Sequence, residues 1–146
     1  MSMPPEKSPS FSISVRVYYE DTDAAGVVYY ANYLKFFERC RTEWVRSLGY
    51  DQSALAGEHD LAFVVRNASA AYRKPARLDD ALQVDLSIQE IGRANLVLRQ
   101  RVLKLSDAGV ETLLVTGEVE IVCVQVSTFK PAAIPAFLLA KFQEPV

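Results

Sequence analysis

Histidine is almost missing from this sequence: His59 stands alone, and the two cysteines, Cys40 and Cys123, lie far apart with no CxxC pair. Structural zinc sites and cysteine–histidine catalysis therefore lack their parts. Both cysteines read as small buried apolar residues. No GxSxG, GxxxxGKS/T or GxGxxG run occurs, which removes the nucleophile elbow and the common phosphate-binding loops. Nor is there a run of about eighteen apolar residues, as a membrane-spanning helix needs. Strong charge is missing too: a formal net charge of −2 gives no field that would gather nucleic acid or an anionic membrane surface. Any anionic ligand must be held by local clusters. Residues 1–10 hold Pro4, Pro5, Pro9 and several serines without an apolar stretch, so they read as a disordered tail rather than a signal peptide, and the cytoplasm is the expected compartment.

What remains is globular composition, 50% hydrophobic and 23% charged, in a chain long enough for one core, expected over residues 11–146. Phe11, Ile13, Val15, Val17 and Tyr19 alternate with polar neighbours, the period of a half-buried strand. From about Tyr30 the period changes to a helical one through Tyr33, Phe37, Cys40, Trp44 and Leu48. Leu34, Phe36 and Val45 widen the apolar face, as in a helix embraced by its surroundings. Arg39 and Glu43 are spaced to pair on its surface, and Gly49 marks its end. A short helical stretch near 51–58 precedes four strand-like runs, at 61–73, around Leu82–Ile88, at 94–105 and at 110–126. Gly92-Arg93 and Ser106-Asp107-Ala108-Gly109 make hairpin turns between the last three. Pro131 and Pro135 introduce a short terminal helix. This order predicts an α+β domain in which one antiparallel sheet covers one helix.

The segment from Tyr18 to Tyr30, YYEDTDAAGVVYY, carries the chemistry. It sets carboxylates and a glycine just before the long helix, whose first N–H groups have no intrahelical partner and can polarise a carbonyl. Asp23 can then attack that carbonyl or activate water, with Gly26 leaving room for a ligand. Two other readings stay open at this point. An aspartate before a helix is often its N-cap. Asp21, Asp23 and Gly26 also match three positions of a calcium loop, although Ala25 and Asn32 stand where that loop needs oxygen ligands, so no metal site is expected. Arg73, Lys74 and Arg77, with Arg93 on a hairpin turn, are candidates for phosphate contacts or solvated loop charges. His59, between Glu58 and Asp60, reads as a surface histidine.

Several ordered runs resemble one family: VRVYYEDTD over 15–23, GVVY over 26–29, ANY over 31–33, FER over 37–39, RTE over 41–43, AFVVR over 62–66 and PARLDD over 75–80. They are similar to the acyl-CoA thioesterases of the 4-hydroxybenzoyl-CoA thioesterase type, in particular the YbgC-like branch associated with the Tol-Pal system. The resemblance covers about residues 11–142. It implies a hotdog fold, a curved five-stranded antiparallel sheet wrapped around the central helix, and homo-oligomers that are dimers or dimers of dimers. It implies an acyl-CoA or acyl carrier protein thioester as substrate, with no separate cofactor. Asp23 is then the catalytic carboxylate, the polarising amide sits at or next to Tyr30, and Tyr19 matches a further active-site position. Tyr30 stands where the YbgC-like branch usually has histidine and the 4-hydroxybenzoyl-CoA branch has tyrosine. That departure motivates a rival reading, a non-catalytic acyl-binding or adaptor module. A hotdog dehydratase would need His59 in the pocket.

Overall fold

The computed structural model describes residues 11–143, so the tail expected over residues 1–10 lies outside it. Strand β1 (Phe11–Arg16) is followed by the long helix α1 (Tyr30–Ser47), the short helix α2 (Gln52–His59) and β2 (Leu61–Tyr72). Then come β3 (Ala81–Ile91), β4 (Asn95–Leu105), β5 (Glu111–Gln125), the two-residue β6 (Lys130–Pro131) and helix α3 (Ala136–Phe142). The strand order is β1-β3-β4-β5-β2, all antiparallel, with β6 added against β5. The five expected strands are present, and β6 is too short to leave a period in the sequence.

The strand ends at Arg16, but the predicted alternation holds through buried Val17 and exposed Tyr18 and breaks at Tyr19. Val17 is still pinned by the strap between β2 and β3, donating its N–H to the Asp80 carbonyl and accepting from the Asp79 N–H, each at 3.0 Å. The buried Asp21 carboxylate then accepts the Tyr18 N–H at 2.9 Å and turns the chain into a single 3-10 turn, Tyr19–Asp21. Tyr19 is consequently 83% exposed and does not continue the buried face.

One face of α1, with Tyr33, Phe36, Phe37, Cys40, Trp44 and Val45, is buried against the concave side of the sheet, where Leu82, Val84, Leu86, Leu96, Leu98, Val102, Val115, Val119 and Ile121 meet it. The apolar face is narrower than expected, because Leu34 is 43% exposed. Glu43 pairs with Arg46 rather than with Arg39, whose guanidinium lies over the Phe36 ring at 5.8 Å. Beyond Trp44, α3 closes the far end: Phe142 stacks on the indole at 5.1 Å.

The middle of α1 is locked to the sheet by shape and by hydrogen bonds. A Cβ at Gly117 would lie 2.5 Å from the Phe37 ring, so only glycine lets the ring settle on β5. Gln100, fully buried on β4, donates from Nε2 to the Phe37 carbonyl at 3.0 Å, and its Oε1 accepts from Arg41 Nη1 at 2.9 Å. Each polar group of that buried side chain is thereby satisfied. On the opposite face, Glu120 of β5 accepts from Arg66, Asn67 and Asn95, which ties β2 and β4 to β5 beside the irregularity between Val65 and Asn67. No helix among the described residues is long and apolar enough to cross a membrane.

Candidate active site

Asp23 opens a tight hairpin. Thr22 bridges Val28, the Asp23 N–H donates to the Val27 carbonyl at 2.9 Å, and the Gly26 N–H donates to the Asp23 carbonyl at 3.0 Å. Gly26 has φ +80, the left-handed residue that closes a three-residue hairpin turn. Space around it is open, with nothing within 4 Å of a Cβ built there. Its glycine is therefore required by backbone shape. The Asp23 side chain is exposed, and its Oδ1 accepts the N–H of Ala25 at 2.9 Å and of Val27 at 3.4 Å. Both bonds fall on one oxygen, so Oδ2 has no protein partner among the described residues.

The hairpin is held against the start of α1 by the strap between β2 and β3. Ala76 is fully buried; its N–H donates to the Tyr33 hydroxyl at 3.0 Å and its carbonyl accepts the Val28 N–H at 2.9 Å. Val27 bridges Arg77 alongside. Asp21 ties the other flank, its carbonyl accepting from the Tyr29 N–H at 3.1 Å and from Asn32 Nδ2 at 2.8 Å. The two neighbouring aspartates thus separate: Asp21 is built into the fold, and Asp23 keeps an oxygen open.

The helix start beside Asp23 is bare. Its N-cap is Tyr29, which makes no side-chain cap, and its first turn contains no acidic residue. Asp23 therefore caps its own hairpin and not α1, which removes the N-cap reading. No group of three or more His, Cys, Asp or Glu placed to hold a metal ion occurs among the described residues.

Asp23 and the helix start share one cavity of about 410 Å³. The hairpin contributes Asp23, Val27 and Val28, the helix start Tyr29, Tyr30 and Tyr33, and the end of β2 with its strap Tyr72, Arg73, Lys74 and Pro75. One wall is thus charged and the other aromatic. Burial pushes the Tyr33 hydroxyl above the ordinary tyrosine value, against the opposing effect of the Ala76 N–H bond, so this group stays a neutral phenol.

Of the residues singled out from the sequence, Asp23, Tyr30, Arg73 and Lys74 come together here. Gly26 shapes the hairpin without lining the cavity. Tyr19 does not join them; it borders a separate shallow depression with Tyr18, Glu20, Leu78 and Asp79. Arg93 sits in the β3–β4 turn, where its carbonyl accepts the Ile134 N–H at 2.9 Å. Tyr72 pairs with Val115 and Asn95 with Val122, so much of the length of β5 separates Arg93 from the cavity of the same chain. His59 is remote from the cavity lining as well, packed on Phe137 at 4.8 Å and Tyr50 at 6.4 Å, which leaves the dehydratase reading without its acid–base group. Sequence reasoning missed Tyr33, Tyr72 and Pro75. Their only signal is proximity to the Arg73-Lys74 cluster and to the helix start.

Comparison with known proteins identifies the family. Residues 17–142 match the thioesterase-like superfamily. The chain is 44% identical over 133 residues to the acyl-CoA thioesterase YbgC of Haemophilus influenzae, covering 90% of this chain and 93% of that protein. It is 45% identical over 134 residues to the acyl-CoA thioester hydrolase YbgC of Shigella flexneri, covering 92% and 96%. The three-dimensional structure of 4-hydroxybenzoyl CoA thioesterase from Pseudomonas sp. strain CBS-3 superposes with a TM-score of 0.84 at 20% identity, covering 92% of this chain and 99% of that one. This last likeness shows the shared fold, the hotdog.

Proposed function

The chain belongs to the thioesterase-like superfamily, and from that premise we propose that it is a thioester hydrolase cleaving acyl-CoA in the cavity shared by Asp23 and the start of α1. The observation that carries the reading is the pairing in one cavity of a carboxylate oxygen without a protein partner and a helix start without a capping side chain.

In this reading the thioester carbonyl oxygen rests against the N–H groups of the first turn, at or next to Tyr30. Their partial positive charge stabilises the oxyanion as the carbonyl carbon becomes tetrahedral. Asp23 either attacks that carbon or takes a proton from the attacking water. The Oδ1 bonds to Ala25 and Val27 fix the carboxylate so that the open oxygen faces the reaction. The C–S bond then breaks, the thiolate leaves and is protonated, and water supplies the second oxygen of the free acid. The balance closes with water alone, so the proposal includes no metal or redox cofactor. Arg73 and Lys74, exposed and lining the same cavity, meet the coenzyme A phosphates in this scheme. Arg93 joins them only if supplied by a second copy. Tyr19 has no role in this scheme. Assembly into dimers or dimers of dimers, acyl carrier protein as an alternative donor, a cytoplasmic site of action and an association with the Tol-Pal system belong to the same proposal and rest on the family resemblance.

Thiol release from a panel of short, long and aromatic acyl-CoAs tests the reading. The parent is expected to release coenzyme A, and Asp23→Asn to lose most turnover while remaining folded. Equal steady-state hydrolysis by the two proteins would overturn it. Saturable acyl-CoA binding by the parent with no thiol released would instead make the protein an acyl-binding module.

A further inference from the structure

Of the polar side chains that line the cavity, Asp23, Tyr29, Tyr30, Tyr72, Arg73 and Lys74 are exposed, and water completes the hydrogen bonds that the protein leaves unmade. Tyr33 differs from all of them, being 2% exposed. Its oxygen is spent as an acceptor on the Ala76 N–H at 3.0 Å, while its O–H proton meets no acceptor among the described residues. A donor left over in a buried place costs stability unless something that enters the cavity takes it up.

The backbone carries that donor toward the start of α1. Tyr33 stands three residues after Tyr30, and helical side chains slant back toward the N-terminus of their own helix. The slant shows in the Ala76 bond, because the carbonyl of the same residue accepts the N–H of Val28, two residues before the helix. The ring is gripped by Phe36 edge-on at 6.1 Å and by Tyr72 at 5.6 Å, so the hydroxyl has little freedom to turn away. Burial keeps the phenol neutral, and the Ala76 N–H on its oxygen makes the remaining O–H a stronger donor.

We infer that the Tyr33 hydroxyl is a second hydrogen-bond donor to the thioester carbonyl oxygen, beside the N–H groups of the first turn of α1. The inference rests on the hydrolase reading above for the identity of the substrate, and it adds a catalytic residue which that reading does not use. As the carbonyl carbon becomes tetrahedral, its oxygen gains negative charge and accepts more than one hydrogen bond; the backbone supplies one and the phenol another. The phenol keeps its proton throughout. When the C–S bond breaks the carbonyl re-forms, and the hydrogen bond weakens with the charge that held it.

Tyr33→Phe removes the hydroxyl and keeps the ring. It is expected to lower kcat by about 10²–10³-fold with KM near the parent's, the loss seen when one donor to an oxyanion is removed. The same change orphans the Ala76 N–H, so two further measurements separate contact with substrate from a clamp on the strap. The first places difluorotyrosine at position 33, which preserves the ring, the oxygen and the Ala76 bond but gives a more acidic phenol. The alkaline fall in kcat should then move to lower pH, because an ionised phenol has no proton to donate. A clamp predicts no such movement, since a phenolate accepts the Ala76 N–H at least as well. The second records the carbonyl stretch of a carbon-13-labelled acyl-CoA bound to Asp23→Asn. Adding Tyr33→Phe should raise that frequency, as loss of a donor does. An alkaline limb that stays in place, or a band that does not move, overturns the inference. If Tyr33→Phe does not fold, the difluorotyrosine protein decides by the position of its limb. A parent that releases no thiol, with a band that still depends on Tyr33 in the Asp23→Asn background, sinks the hydrolase reading and leaves the Tyr33 contact standing.

Discussion

The start and the middle of α1 obey opposite rules. In the middle, polar capacity is spent: Gln100 serves the Phe37 carbonyl and Arg41, and Gly117 leaves room for the Phe37 ring and nothing more. At the start, capacity is left over: Tyr29 caps with no side chain, the first turn has no carboxylate, and Asp23 offers one oxygen to no protein group. A buried unsatisfied group costs stability, whereas an exposed one can wait for a ligand. The satisfied middle supplies the rigidity that lets the unsatisfied start hold a fixed geometry.

Asp23→Asn should open the widest gap between the two regions. It is expected to cut thiol release by about 10²–10⁴-fold, the usual range for removing a general base, and to leave the thermal midpoint near the parent's. A midpoint that drops with the rate would erase the distinction. Gly117→Ala is expected to do the opposite. Its new Cβ presses on the Phe37 ring and stands 3.2 Å from the Ser69 carbonyl, which should cost about 1–3 kcal/mol in chemical denaturation, the range for overpacking a core. Turnover per folded molecule should survive. Gln100→Leu is expected to follow at about 1–3 kcal/mol, because the half-buried Arg41 and the buried Phe37 carbonyl lose their partner. A variant as stable as the parent would show that the middle of the helix is held by apolar contact alone.

The smallest effect concerns the convex face. The Arg66 guanidinium, with Asn67 and Asn95, pulls the Glu120 carboxyl from an ordinary 4.5 down to about 2. A depressed carboxylate stabilises the fold above its unfolded value, and that contribution is lost as pH falls from about 4.5 through about 2. Acid titration of stability should therefore fall less steeply across that window in Glu120→Gln than in the parent. The difference will be small because Arg66, the main partner of Glu120, is exposed to solvent.

Much of the architecture was legible because it repeats. Strict alternation through Leu82, Val84, Leu86 and Ile88 marks β3, and helical spacing from Tyr33 to Trp44 marks α1, since burying one face imposes the period of the backbone. The Tyr19 prediction failed for a local reason: Asp21 captures the Tyr18 N–H and ends the strand early, an event with no periodic trace. The Arg39–Glu43 pairing failed because exposed charges are bound too weakly for spacing to select one partner over Arg46. At the site, a carboxylate-rich segment just before the helix could be read from its residue types, but the choice of Asp23 between capping that helix and lining a cavity could not.

By itself the sequence determined the order of strands and helix and the stretch of chain where a carboxylate precedes a helix. Tertiary structure alone decided that Oδ2 of Asp23 stays open, that Tyr72 and Lys74 line the same cavity as Asp23, and that Arg93 does not. Periodicity records which face of an element is buried, and it is local to that element. Which distant side chains converge on a cavity depends on sheet register and on single hydrogen bonds such as that between Ala76 and Tyr33, which leave no pattern along the chain.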